Sequence, residues 1–202
     1  MKRVLGRVLP IAVVLTVWMQ GSALAFTRDV SIMNFFFSPQ DAMGLVGDTV
    51  LWTNGTSSTS HTSTHDNTDP LVWDSGIIPP GGMFSFQFKI AGSFTYHCNI
   101  HPFMMGSVDL RPTAMPQSGR VGTIFAIEVA TIPAQGSFIY DVQIQLPGGQ
   151  FMGFPGGSRS GRFAFNSTGR PPGQYFFRSR LRDMSSGLVS GYSPPVMVTI
   201  TP

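Results

Sequence analysis

Short runs of alternating apolar and polar residues recur along the chain. The pattern runs through residues 84–90, where Phe84, Phe86 and Phe88 alternate with polar side chains, and it returns at 138–146 and 196–200. Alternation with a period of two is typical of strands that bury one face. The 23 glycines and 16 prolines supply turns and would interrupt most helices. The pattern predicts an all-β chain.

The charges divide the chain into two parts of opposite sign. Residues 26–111 carry three basic and seven acidic side chains, whereas residues 112–202 carry seven basic and three acidic ones. Each part is long enough for one modest core. Between them, residues 112–119 contain two prolines and no periodicity, which predicts a linker. We therefore expect two β-sandwich domains, at 26–111 and 120–202.

The first 25 residues have the pattern of a secretory signal peptide. Lys2, Arg3 and Arg7 precede an apolar run over 9–18, and small residues follow up to Ala25. The run is too short for a membrane anchor, which needs about 20 apolar residues. We expect a protein exported to the periplasm or the extracellular space, with no membrane span in the mature chain. Without residues 1–25, ten basic residues face ten acidic ones, so nothing in the charge favours nucleic-acid binding.

The single cysteine rules out an internal disulfide framework, so it needs its own explanation. Cys98, His101 and Met104 follow one another at Cys-x2-His-x2-Met spacing, which places three soft ligands on one loop. Such ligands suit copper, and two imidazoles, a thiolate and a distant methionine form a blue copper site. One more histidine is then required. The competing interpretation is a buried apolar cysteine beside two core methionines.

This loop resembles that of the cupredoxins, the type 1 blue copper proteins, in particular the amicyanin and bacterial plastocyanin-like groups. Their ligand loop has the Tyr-His-Cys-x-x-His-Pro-Phe-Met form seen at residues 96–104. Residues 47–54, 74–76 and 79–82 resemble the family's strand before the first histidine and its next hairpin, so the resemblance covers about residues 30–110. It implies a Greek-key β-sandwich that holds one copper ion cycling between Cu(II) and Cu(I).

Two histidines compete for the remaining ligand position. His61 follows the Trp-x-Asn strand end at about the family's distance and is the expected ligand; His65 is the alternative. His97 points to the other face of its strand and is not expected to bind metal, and Met104 rather than Met105 fits the spacing. Hydrogen bonds around a metal's ligands tune its potential. Here the Asn99 backbone N–H is a candidate donor to the Cys98 sulfur, and Thr62 is a candidate brace for the loop around His61.

The expected function is one-electron transfer without substrate chemistry, because the resemblance provides a complete ligand set and catalytic metal sites keep a position open. The resemblance also implies that Pro102, Phe103 and Met105 form an apolar patch where a redox protein docks. One alternative is a non-redox copper carrier, and another is a surface or adhesion protein with a cupredoxin-like module. A hydrolase or thiol enzyme is disfavoured, since the sequence has no motif of either kind.

The C-terminal part resembles a fibronectin type III-like or immunoglobulin-like sandwich over residues 172–183 and 190–198. Arg178, Arg180 and Arg182 alternate along one strand there. They form either a solvated strand face or a basic strip for an acidic partner.

Overall fold

The structure, a computed structural model, describes residues 25–202, and the predicted signal peptide lies outside these residues except for Ala25. Every regular element within this range is a strand, which confirms the all-β prediction. The strands are β1 (Thr27–Met33), β2 (Phe36–Ser38), β3 (Asp41–Leu45), β4 (Thr49–Asn54), β5 (Thr64–His65), β6 (Met83–Gln87), β7 (Gly92–His97), β8 (Met105–Arg111), β9 (Thr113–Met115), β10 (Ser118–Arg120), β11 (Ile124–Glu128), β12 (Phe138–Gln145), β13 (Phe151–Gly153), β14 (Arg162–Asn166), β15 (Gly173–Asp183) and β16 (Val196–Thr201).

The first sandwich packs two four-stranded sheets face to face. One sheet has the order β2-β1-β4-β6 and the other the order β3-β8-β7-β5. Both sheets are mixed, because β1 runs parallel to β4 and β3 runs parallel to β8. The alternation in the sequence places Trp52, Phe94 and Tyr96 in the core between the sheets, where all three are fully buried.

One end of this sandwich gathers the residues of the predicted metal loop. Strand β7 ends at His97 and β8 begins at Met105, so residues 98–104 connect two paired neighbours at this end. Strand β4 ends at the same end, because Asn54 at its last position and His61 both bond to Ile78, and the Thr62 N–H next to His61 donates to Cys98 Sγ. The long connection from β4 to β5 therefore passes beside the loop that contains Cys98.

The second sandwich has a five-stranded sheet in the order β10-β16-β15-β12-β13 and a three-stranded sheet in the order β14-β11-β9. The predicted linker over 112–119 differs from what the structure shows. Residues 113–115 pair with β11, and β10, which begins at Ser118, pairs with β16. The alternation of Thr113, Ala114 and Met115 was too short to predict a strand, although Ala114 is buried in the core. The resemblance to fibronectin type III domains stays a prediction.

The two sandwiches are joined by backbone hydrogen bonds at the end opposite the metal loop. The Ala91 N–H donates to Val129 O at 2.8 Å, and Thr131 N–H donates to Lys89 O at 2.9 Å. Ser93 and Gly191 exchange two bonds of 3.0 Å each. Residues 89–93 lead into β7 from its start, six residues before Cys98. The second sandwich is thus fixed to the first without covering the metal loop.

The three arginines on β15 interact within their own sheet. Arg180 and Arg182 both donate to Asp141, and the Arg178 guanidinium lies 3.9 Å from the centre of the Phe151 ring. Because the three guanidinium groups already have partners within the sheet, these contacts favour an ordinary strand face over a basic strip that is free to bind an acidic partner. Among the described residues there is no helix of the length and hydropathy needed to cross a membrane.

Candidate metal centre

Three of the predicted ligands converge on one point at the end of the first sandwich. The ligand atoms of His61, Cys98 and His101 all lie within 4.8 Å of one another. The Cys98 Sγ is 3.9 Å from His61 Nδ1 and 3.7 Å from His101 Nδ1. His61 and Cys98 are fully buried, while His101 is half-buried. The cluster therefore has a buried side and a side near the surface.

Two consecutive turns shape the loop that carries Cys98, His101 and Met104. The His101 N–H donates to Cys98 O at 3.1 Å, and the Met104 N–H donates to His101 O at 2.8 Å. The chain then returns beside its starting point, because the Cys98 N–H donates to Met104 O at 3.0 Å. Met104 is buried, whereas Met105 is 57 % exposed. The three-residue spacing of the motif thus corresponds to one turn between successive candidate ligands.

His61 is held from a separate part of the chain. Its backbone exchanges two hydrogen bonds with Ile78, of 3.1 and 2.8 Å. The buried Asn54 amide fixes the preceding loop, since its Nδ2 donates to Thr59 O at 2.8 Å and to Ile78 O at 2.9 Å. Burial of the imidazole, and then the neighbouring charge of His101, lower the pKa of His61 below its ordinary value. The ring is neutral at pH 7 and has a lone pair to offer a metal.

The separations within the cluster match those of ligands that share one ion. Bonds of about 2.3 Å to sulfur and about 2.0 Å to nitrogen, at angles of about 109–120°, place the two ligand atoms about 3.5–3.7 Å apart. The observed separations of 3.7 and 3.9 Å are close to this range. The Nδ1 of His61 faces the sulfur at 3.9 Å, so it is the nitrogen placed to share an ion with Cys98. The residues therefore fit a soft metal ion.

The hydrogen bonds around the sulfur differ from the arrangement considered from the sequence. The Thr62 backbone N–H, rather than that of Asn99, donates to Cys98 Sγ, at 3.3 Å. The Asn99 N–H instead donates to Thr62 Oγ1 at 2.8 Å. Thr62 rather than Asn99 is therefore the donor to the sulfur, because Thr62 directly follows the candidate ligand His61 and its amide reaches Cys98 Sγ.

The structure keeps the other two histidines out of the cluster. The Nδ1 of His65 lies 2.9 Å from Trp73 O, so this ring faces a backbone carbonyl instead of the sulfur. His97 lies on the outer face of β7, where its Nδ1 is 2.5 Å from Asp66 Oδ1. Of the two histidines that competed in the sequence, the structure brings only His61 to Cys98.

Aromatic side chains surround the exposed side of His101. Phe35 meets the imidazole edge-on with 5.0 Å between ring centres, and it lies 5.9 Å from Phe103. Phe103 is 69 % exposed, Pro102 is exposed as well, and Met105 begins β8 opposite His97. Sequence reasoning missed Phe35. The available signal was the run of three phenylalanines at 35–37, since an alternating strand cannot bury all three.

The backbone explains how Phe35 reaches this position. Its φ of 67° lies in the left-handed region, which places the residue in the tight turn between β1 and β2. Phe37 points into the core and is 2 % exposed, while Phe35 is 51 % exposed. The turn thus brings one aromatic ring of the run to His101.

Comparison with known proteins finds no matching protein-family model and no matching curated protein. Several solved structures are similar to part of this chain. A reduced Cu(I) form of an amicyanin point mutant at pH 4 is 26 % identical, with 44 % of this chain and 84 % of that chain covered and a TM-score of 0.36. Amicyanin from Paracoccus versutus is 24 % identical over 44 % and 83 % of the two chains, with a TM-score of 0.36.

A purple cupredoxin from Nitrosopumilus maritimus is 27 % identical, with 40 % of this chain and 96 % of that chain covered and a TM-score of 0.37. These matches cover less than half of this chain, and their TM-scores are low. The cluster of His61, Cys98 and His101, rather than this similarity, therefore carries the functional proposal.

Proposed function

We propose that this chain is an exported type 1 copper protein that transfers single electrons. His61, Cys98 and His101 would hold the copper ion, with Met104 as the axial ligand. The observation that carries the proposal is the convergence of one thiol and two imidazole Nδ1 atoms, 3.7 and 3.9 Å from the sulfur, at one end of a β-sandwich. Copper bound there supplies a one-electron couple between Cu(II) and Cu(I).

The burial of the cluster favours electron transfer over chemistry on a substrate. The Cys98 thiol is fully buried, so a substrate cannot reach it as it reaches a nucleophile. Burial of His61 and Met104 closes the inner side of the site as well. An electron, in contrast, needs only a short path to the surface, and half-buried His101 provides one.

The exposed aromatic surface beside His101 is the proposed docking site for a redox partner protein. Phe103 and Phe35 flank the imidazole, and Pro102 extends this apolar patch. Contacts between redox proteins are small and short-lived, so a patch of this size is sufficient. The second sandwich leaves the patch free, because it joins the first sandwich at the opposite end.

The test uses visible absorption and EPR spectra of the chain from Phe26 onward after addition of Cu(II). We expect an intense blue thiolate-to-copper band with a narrow hyperfine splitting. The band should be lost in Cys98→Ser and in His61→Ala and retained in His65→Ala, which is the matched control because His65 faces Trp73 O. A protein that stays colourless, or that binds only Cu(I), would reject electron transfer and favour a copper carrier.

A further inference from the structure

A chain of hydrogen bonds leads from Cys98 to the protein surface on the side away from His101. The first link is the Thr62 N–H, which donates to Cys98 Sγ at 3.3 Å. The second is the Asn99 N–H, which donates to Thr62 Oγ1 at 2.8 Å. The orientation of the donor at the sulfur thus depends on the position of Asn99.

Asn99 is held at three of its atoms. Besides its backbone contact with Thr62, its Nδ2 donates to Thr64 Oγ1 at 3.0 Å. Its Oδ1 lies 2.8 Å from His97 Nε2. The two side-chain contacts together fix one orientation of the amide, and loss of the His97 contact leaves the Thr64 contact alone to hold it.

The outer end of the chain is anchored to the sheet. The Nδ1 of His97 lies 2.5 Å from Asp66 Oδ1, and the Asp66 backbone N–H donates to Thr95 O at 3.0 Å. His97 itself is paired with Thr64 across β5 and β7. Asp66, which follows β5 and bonds to β7, and His97 on β7 therefore form a clamp whose imidazole contacts the Asn99 side chain.

We propose that His97 and Asp66 are positioning residues for the sulfur of Cys98. They hold Asn99, which holds Thr62, and the Thr62 amide then points at the sulfur. The positioning itself is a property of the protein, but its effect on a reduction potential rests on the proposed copper function. A hydrogen bond to the thiolate stabilises the state with more negative charge on sulfur, which is the reduced state of the couple. Loosening the clamp should therefore lower the potential.

The first experiment measures amide hydrogen exchange at Thr62 and Asn99 by NMR in the metal-free protein. His97→Phe removes both contacts of the imidazole, and His97→Gln keeps an amide that can replace one of them. Loss of one hydrogen bond of ordinary strength raises local opening about five- to tenfold, so we expect exchange to quicken by that factor in His97→Phe and by less in His97→Gln.

Two further variants make the exchange result decisive. Thr95→Val is the matched control, because this exposed side chain lies on the same face of β7 two residues before His97. Asp66→Asn tests the outer half of the clamp with little change in volume, and it should quicken exchange at Asn99 more than the control does. Exchange rates in His97→Phe and Asp66→Asn equal to those of Thr95→Val would overturn the proposal.

The second experiment measures the reduction potential of the copper-loaded variants by voltammetry at a single pH. We expect a lower potential in His97→Phe, and a tenfold change in the relative stability of the two oxidation states corresponds to about 59 mV for one electron. The Thr95→Val potential should stay at that of the unaltered protein. In His97→Phe, faster amide exchange with an unchanged reduction potential would show that the clamp does not act through the Thr62 N–H at the sulfur. A changed potential with unchanged exchange would show the same, and either result would overturn the proposal.

The two experiments separate this inference from the proposed function. Absence of copper binding in the unaltered protein would reject the function, while quicker exchange at Thr62 and Asn99 in the metal-free variants would still support the clamp. A blue protein whose exchange rates and potential are the same in His97→Phe would reject the clamp and leave the function standing.

Discussion

Asp48 is a buried carboxylate whose replacement tests how the first sandwich, which contains the candidate metal centre, is held together. Its Oδ1 accepts from the Phe26 N–H at 2.9 Å, and its Oδ2 accepts from Arg28 Nε at 2.7 Å and from the Leu45 N–H at 3.0 Å. These contacts connect β1, β3 and the turn before β4. We expect Asp48→Asn to destabilise the fold, since asparagine has a single acceptor oxygen.

The magnitude follows from the most favourable orientation of the new amide. With its oxygen toward Arg28 and Leu45, the amide loses the Phe26 bond, which costs about 1 kcal/mol. The ion pair also becomes a neutral hydrogen bond, and because Arg28 is 37 % exposed this costs only about 1 kcal/mol more. The total is about 2 kcal/mol in the free energy of unfolding, and the other orientation costs more.

Urea unfolding followed by tryptophan fluorescence measures this loss. With a slope of about 2 kcal/mol per M, the midpoint should fall by about 1 M. The control is Asp29→Asn, because Asp29 is exposed and lies next to Arg28 on the same strand. A midpoint for Asp48→Asn that equals that of the control would refute the role assigned to the buried carboxylate.

Four further predictions concern pH, packing, docking and domain structure. Burial raises the pKa of Asp69 to about 6, so this carboxyl should lower the stability by about 2 kcal/mol as pH rises from about 4 to 7, while His61, whose pKa is lowered, acts in the opposite direction; stability should therefore rise more steeply with pH in Asp69→Asn than in the unaltered protein in urea titrations, and equal pH profiles would contradict the assignment. Gly106→Ala places a Cβ 2.6 Å from the Tyr96 ring and 2.7 Å from Gln40 O, which should cost about 1–3 kcal/mol and lower Tm by several degrees; an unchanged Tm in calorimetry would contradict this close packing. Phe103→Lys should slow electron self-exchange in copper-loaded protein at least tenfold, measured by NMR line broadening, because like charges then meet in the encounter; an equal rate would argue against docking at this patch. A chain of residues 26–111 should unfold at a lower urea midpoint than the chain from 26 to 202, because it loses the partners of Ala91; equal midpoints would mean that the junction adds no stability.

Much of the metal loop could be predicted because its information is local. Cys98, His101 and Met104 lie within seven residues, and two turns between them need no distant contact. The strand of alternating residues that precedes the loop also fixes which way Cys98 and His97 point. The all-β class was predictable on the same grounds, since alternation and turn residues act over a few positions.

The features that escaped prediction depend on contacts between distant segments. His61 was the expected ligand from its spacing, but His65 stayed open as the alternative. The contacts that separate the two come from distant residues, since the Asn54 side chain donates to Thr59 O and Ile78 O beside His61, and His65 Nδ1 faces Trp73 O. Phe35 reaches His101 only because the turn between β1 and β2 meets the metal loop in space. The strands within the predicted linker form only because β11 and β16 offer them free edges.

The fixed junction between the sandwiches has a practical consequence for the orientation of the molecule. Strand β16 begins opposite Phe177, two residues from Ser179, whose Oγ donates to Ala91 O of the first sandwich at 3.2 Å, and it runs toward Gly173. Its six residues therefore lead away from the junction over about 20 Å. A tag or surface linkage at Pro202 would hold the protein by the end that is remote from His101. A monolayer attached in this way to an electrode would present its aromatic patch to the solution, where a soluble redox protein can reach it.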